Sequence, residues 1–315
     1  MLYILLETMA KFRRNHAKQG GGMSNRIWTI VWIGVIILMI LLISEAPSLF
    51  DEMVTINDEM TDDTRERDDY EGDELYFLPK GQSNEVIRHK YFALGYSEKH
   101  EVPEWVAYEL TRSQLDRKRV RREDKFRPDP KVRKKSATTG DYRRSGYDRG
   151  HLVPAADRAF SREAMDETFY MSNITPQDRK FNGGIWRELE ELTRDWARKY
   201  RKVYVVTGPV LTKRAKARIG QNDVAVPHSF YKVILDLSEP ELKAIAYVIP
   251  NKKSEEPLQE YATSIDEVEE LTGINFFPNM MDAELEKELE ASFDNRLWQY
   301  DDRRYSMRVD KWNNR

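Results

Sequence analysis

One histidine in this chain stands where a base could work. His151 follows Tyr147, Asp148, Arg149 and Gly150. A neutral imidazole takes up a proton near pH 7, a guanidinium suits a phosphate oxygen, and glycine allows a sharp turn or close backbone approach. Such a set suits attack of water on a phosphodiester, a reaction that also calls for a divalent cation at the scissile phosphate. A structural, hydrogen-bonded histidine would look the same in isolation. The run Met171-Ser172-Asn173-Ile174-Thr175-Pro176-Gln177 is polar and turn-like. Asn173 there could hold the chain ends in register or hold the histidine, or bond its own backbone, as loop asparagines do.

Asn182, Trp186, Glu190 and Arg194 recur every four residues. Four residues turn a helix by about 400°, so they form a slowly drifting stripe. Asn182 offers a neutral oxygen that magnesium accepts, Glu190 a carboxylate for water around such an ion, and Arg194 a phosphate contact. The plain alternative makes Asn182 a helix cap, Trp186 core, and Glu190–Arg194 a surface pair. Residues 112–149 hold fifteen Lys and Arg against six Asp and Glu, with Phe126 and Tyr142 interleaved. That stretch would bind a phosphate backbone without reading bases, or is a solvated charged loop.

The elements that must position these residues are readable from pattern. Segments 87–96, 105–110, 202–207, 229–237 and 244–249 are rich in aliphatic and aromatic residues and predict strands. Apolar spacing predicts a helix over 181–200, with Ile185, Leu189, Leu192 and Trp196 on one side. A short helix is expected at 265–272, capped by Ser264 with Glu267 three residues on. The stretch 112–149 is loop-rich, with Pro128, Pro130 and Gly140 as breakers.

The totals bound the class. The chain has 315 residues, 40% apolar and 33% charged, which excludes a polytopic membrane protein. No cysteine is present, so disulfides, thiolate metal sites and cysteine nucleophiles are excluded. The net charge of −3 argues against a nucleic-acid partner, but much of the acid lies in residues 45–75, which read as a flexible stalk. Residues 27–44 form an apolar run with Trp28 and Trp32 towards one end. Lys11, Arg13, Arg14, Lys18 and Arg26 precede it; Glu45, Asp51 and Glu52 follow. The positive-inside bias predicts a cytoplasmic segment 1–26, a membrane anchor at 27–44, and a body held outside the cytoplasm, periplasmic or extracellular. Ser44 and Ala46 make a small-x-small pattern, but Pro47 disfavours cleavage, so an anchor is expected rather than secretion. The start is Met1 or Met23. The globular domain is expected over 76–281, and 282–315 reads as a charged terminal helix and tail.

Tyr147-Asp148-Arg149-Gly150-His151-Leu152-Val153-Pro154-Ala155-Ala156-Asp157 resembles the signature of the DNA/RNA non-specific endonuclease family, the ββα-metal or His-Me finger nucleases. The likeness continues through residues 171–177, Phe181-Asn182-Gly183-Gly184-Ile185-Trp186, and Leu189-Glu190. It extends to 126–130, 206–210 and 226–232, covering about residues 80–280. The resemblance implies an α+β fold, with an antiparallel sheet core carrying the ββα-metal motif. It matches His151 to the general base, Asn182 to the direct magnesium ligand, and Glu190 to the carboxylate orienting the ion's waters. Arg149, Arg194 and Arg122 match arginines on the scissile phosphate or transition state, and Asn173 an asparagine near the active site. DNA and RNA are the implied substrates. The alternative is a nucleic-acid-binding protein on the same fold without effective turnover. Manganese in place of magnesium, and a homodimer, are left open.

Overall fold

A computed structural model describes residues 77–314 apart from Gln82, Asn84, Lys135 and Lys213. The segments 1–26, 27–44 and 45–75, read as leader, anchor and stalk, lie outside the described residues. Among the described residues no helix is long and apolar enough to cross a membrane.

In chain order the strands are β1 (Val86–Arg88), β2 (Ala93–Ser97), β3 (Val102–Thr111), β4 (Asp148–His151), β5 (Ile174–Gln177), β6 (Lys202–Pro209), β7 (Ala217–Ile219), β8 (Val224–Val226), β9 (Ser229–Asp236), β10 (Lys243–Pro250) and β11 (Ala262–Thr263). The α-helices are α1 (Arg112–Asp116), α2 (Arg162–Glu167), α3 (Arg187–Tyr200), α4 (Ile265–Thr272), α5 (Ala283–Glu290) and α6 (Asp302–Asp310). Seven strands form one sheet in the order β1-β2-β3-β6-β9-β10-β11, antiparallel throughout. β4 pairs with β5, and β7 with β8, as separate ribbons.

Both faces of the sheet are buried, which explains the near-continuous apolar character of its strands. One face presents Tyr108, Leu110, Val203, Val205, Ile234 and Tyr247 to Leu189, Leu192 and Trp196 of α3. Residues one step along the same strands, including Tyr204, Val206, Val233 and Leu235, face Ile265 and Val268 of α4. Burying each large side chain contributes about 1.5–3 kcal/mol, so Leu189, Leu192 and Trp196 fix which way α3 is rotated. The Ser264 side chain caps α4 by accepting from Glu267 N, and Gly273 closes it in the left-handed region at φ 70°.

Three elements differ from expectation. The strand expected at 87–96 is two strands around a turn closed by His89 N donating to Phe92 O. The helix expected over 181–200 is a π-turn, Phe181–Trp186, leading into α3, because Gly184 (φ −108°, ψ −110°) leaves helical geometry. Residues 282–315, read as a charged helix and tail, hold α5, α6 and a short 3-10 turn, Trp312–Asn314, with Trp298, Arg308 and Trp312 buried.

Candidate active site

β4 carries Asp148, Arg149, Gly150 and His151, paired in register with Gln177, Pro176, Thr175 and Ile174 of β5. Alternation along a strand sends Arg149 and His151 to one face. Both meet Phe126 there: the Arg149 guanidinium lies 4.2 Å from the ring centre and the His151 ring 5.4 Å from it. Phe169 packs edge-on against His151 at 5.0 Å, and Arg122 lies over Phe169 at 5.4 Å. His151 is only 9% exposed, and its Nε2 has no hydrogen-bond partner among the described residues. Burial, joined by the charges of Arg122 and Arg149 and partly offset by Asp124, lowers its pKa to about 3. At neutral pH it is a neutral imidazole with a free nitrogen beside two arginines.

The segment after His151 is held by Asn173. Its Oδ1 accepts from Val153 N at 2.9 Å, and its Nδ2 donates to Val153 O at 3.1 Å and Thr168 O at 2.9 Å. Its own carbonyl accepts from Leu152 N at 3.1 Å. Next to it, Ser172 Oγ donates to the buried Asp129, which also pairs with His89 at 2.8 Å. Gly150 is required by close approach: a Cβ there would lie 2.0 Å from Cδ of the buried Gln177 side chain.

The stripe of four is brought to one region in altered form. Asn182 precedes the Gly184 break, is half-buried, and donates from Nδ2 to Asp148 Oδ2 at 3.2 Å. Trp186 is fully buried. Glu190 is half-buried on α3, and burial raises its pKa against the pull of Arg194 and Lys232. Arg194 Nη1 donates to Asp157 Oδ1 at 2.7 Å, and Tyr108 OH donates to Asp157 Oδ2 at 3.0 Å. Arg122 is exposed and paired with Asp124 at 2.7 Å, yet its charge is felt at His151. Asp157 and Lys232 were not singled out from sequence, although both lie in segments quoted for the resemblance. Lys232 is fully buried on β9, its Nζ 4.9 Å from the centre of the Trp186 ring, and burial lowers its pKa against the pull of Glu190. The signal was an ionisable residue inside an apolar strand.

A separate group of carboxylates, Asp266, Glu269 and Glu290, gathers between α4 and α5. It contains none of the expected site residues. Burial and its acidic neighbours push Glu290 up to about 8, so that carboxyl keeps its proton at neutral pH.

Fold and site together define a mixed α+β protein built on an antiparallel sheet. A strand pair and a following helix set a neutral histidine, an amide and several arginines in an arrangement suited to a phosphate ester. The family described as DNA/RNA non-specific endonuclease matches residues 76–283, and the chain belongs to it. It is 38% identical over 207 residues to a nuclease of Danio rerio, "Nuclease EXOG, mitochondrial", covering 61% of this chain and 60% of that protein. It is 40% identical over 190 residues to human "Endonuclease G, mitochondrial", covering 56% of this chain and 64% of that one. The chain therefore spans less than two thirds of the length of these relatives. A solved structure of an EndoG/EndoGI complex, described as giving the mechanism of EndoG inhibition, is similar at TM-score 0.59 and 34% identity. That match covers 65% of this chain and 90% of that one. These matches correct the expected location. The relatives are named as mitochondrial nucleases, so a periplasmic or extracellular body on a membrane anchor, or a secreted one, is not upheld. Basic, acid-poor N-terminal residues suit an organelle leader as well as a positive-inside flank, so their charge alone does not set the location.

Proposed function

We propose that the protein is a magnesium-dependent nuclease that hydrolyses phosphodiester bonds of DNA and RNA without reading base sequence. The observation that carries this reading is His151: buried, neutral, with Nε2 unpartnered among the described residues, between Arg149 and Arg122. In this reading β4, β5 and the helical segment from Phe181 form a ββα-metal unit.

The residues present fit magnesium. The hydrogen bond from Asn182 Nδ2 to Asp148 orients the amide plane and leaves the carbonyl oxygen on its other side. Asn182 is half-buried, so water reaches it, and magnesium favours one or two protein oxygens plus several waters. Asn182 would hold the ion and Glu190 would orient its waters. The ion would supply positive charge against the phosphate oxygens and the departing 3′ oxygen. His151 Nε2 takes a proton from the attacking water. A bound phosphate beside the ring offsets the repulsion from Arg122 and Arg149 and makes it a stronger base than in the free protein. Arg149 and Arg122 bind phosphate oxygens. Arg194 serves the same charge from the helix, with Asp157 fixing its guanidinium. Asn173 sets the path of the chain beyond His151. The basic residues of 112–149 hold the backbone of either nucleic acid, and cleavage leaves a 5′-phosphate.

The test is cleavage of matched single- and double-stranded DNA and RNA, with magnesium and with chelator. Cleavage of all four that stops with chelator is expected. Binding without cleavage would instead favour a nucleic-acid-binding protein on this fold.

A further inference from the structure

The C-terminal residues past the family match line the helix that carries Glu190 and Arg194. Glu188, Glu191 and Asp195 share one face of α3, at about 100° per residue. That face is distinct from the sheet-facing Leu189, Leu192 and Trp196, and from the face bearing Glu190 and Arg194. Its partners run antiparallel to the helix. Asn313 packs against Gly184, where a Cβ would lie 2.7 Å from Asn313 Oδ1. Arg187 lies 4.0 Å from the centre of the Trp312 ring. Arg308 Nε donates to Glu188. Arg304 pairs with Glu191 at 3.1 Å and Asp195 at 2.7 Å. Trp196 Nε1 donates to Gln299 O at 2.7 Å, and Tyr200 OH to Leu297 O at 2.9 Å.

Arg308 is the most constrained member. Its side chain is 0% exposed and that of Glu188 4%. Beyond Glu188, its guanidinium donates to Ser254 O at 2.5 Å and Glu256 O at 2.6 Å. Asn313 Nδ2 donates to the same Ser254 O at 2.8 Å. Those carbonyls belong to the loop after β10, which also reaches the other half of the site. Asn251 at its start donates from Nδ2 to Pro176 O at 3.1 Å and accepts from Asp178 N at 2.8 Å. Pro176 lies on β5 opposite Arg149. A continuous polar path therefore runs from α3 through Glu188, Arg308 and the 251–256 loop to the strand paired with the His151 strand.

We infer that residues 297–313 form a splint that sets the position of α3 relative to the β4–β5 pair, with Arg308 as its principal positioning residue. Apolar contacts with the sheet fix the rotation of α3 but are non-directional. The fork of Arg308 is directional and fixes axial position. A misplacement of about 1 Å between catalytic groups can cost on the order of 100-fold in rate.

The inference rests on the nuclease reading, and its test separates the two. Arg308→Lys keeps the charge facing Glu188 but loses the fork. Asn313→Ala removes the contact at Gly184 and one bond to Ser254, leaving the buried ion pair intact. Hydrogen exchange on the full chain, without substrate or metal, is the first arm. Amides of 182–194 should exchange about tenfold faster or more in Arg308→Lys, with those of β3, β6 and β9 unchanged. In Asn313→Ala the faster exchange should centre on 182–188. The second arm is cleavage of duplex DNA with magnesium: kcat for Arg308→Lys should fall about tenfold or more, with KM within about twofold. Unchanged exchange at 182–194 in both variants would overturn the splint. So would equal acceleration across the sheet, which marks loss of stability alone. Absence of cleavage by the wild-type chain would sink the nuclease reading and leave the exchange arm to decide the splint.

Discussion

Replacing Asn173 by alanine removes three hydrogen bonds at once. The side chain accepts from Val153 N and donates to Val153 O and Thr168 O at 2.9–3.1 Å, and the residue is fully buried. A buried backbone group stripped of its partner costs about 1–3 kcal/mol. Three such groups sharing one side chain are not additive, so the expected loss is about 3–5 kcal/mol. That is a large part of the roughly 5–15 kcal/mol that holds a typical domain. Asn173→Asp is the sharper variant. It keeps the acceptor for Val153 N but turns a carboxylate oxygen towards two carbonyl oxygens, so it should lose at least as much despite its near-identical shape. Urea unfolding at pH 7, followed by tryptophan fluorescence, measures both variants. At a temperature where each is folded, kcat should also fall about tenfold or more, because the side-chain clamp holds Val153, two residues after His151. An Asn173→Asp protein within about 0.5 kcal/mol of wild type would refute the reasoning.

Other outcomes follow from the same contacts. Asp157→Asn leaves the Arg194 guanidinium, with a side chain only 13% exposed, without its carboxylate. It should cost about 3 kcal/mol in thermal unfolding, together with a fall in kcat. Gly150→Ala forces the buried Gln177 side chain from its place; a loss of about 1–3 kcal/mol is expected, with lower kcat and an unchanged need for magnesium, read by thermal melting and plasmid nicking. Acid should weaken the fold through His151. An unfolded histidine binds a proton near 6.5, whereas this one resists until about 3, so between those values the unfolded state binds more protons. Unfolding free energy should therefore fall as pH drops through that window, by up to about 1.4 kcal/mol per unit, and His151→Gln should lack this part of the acid dependence in urea titrations at pH 4 to 7.

The sheet was legible because its strands are compact apolar runs bounded by polar turns. The break at His89–Phe92 was not: beside its local backbone bond, His89 pairs with Asp129, a contact 40 residues apart. The helix break had a local sign in Gly183-Gly184, but the regular spacing of Asn182, Trp186, Glu190 and Arg194 outweighed it. The sequence did suggest His151 and its basic surroundings, since residue type alone limits which groups can take a proton near neutrality. It could not show that Arg194 would turn to Asp157, nor that Lys232 would lie under the Trp186 ring, because both depend on packing between distant elements. The packing of the tail was illegible for the same reason. High charge reads as solvent-facing, but Arg308 and Glu188, 120 residues apart, meet in the interior.

The central claim is that His151 is the base that activates water. The direct measurement is the initial rate of supercoiled plasmid nicking by the full chain and by His151→Ala at pH 7.5 with magnesium, with circular dichroism showing both folded. The account predicts a fall of roughly 100-fold or more, with plasmid binding retained. A folded His151→Ala protein that nicks plasmid at the wild-type rate would contradict it.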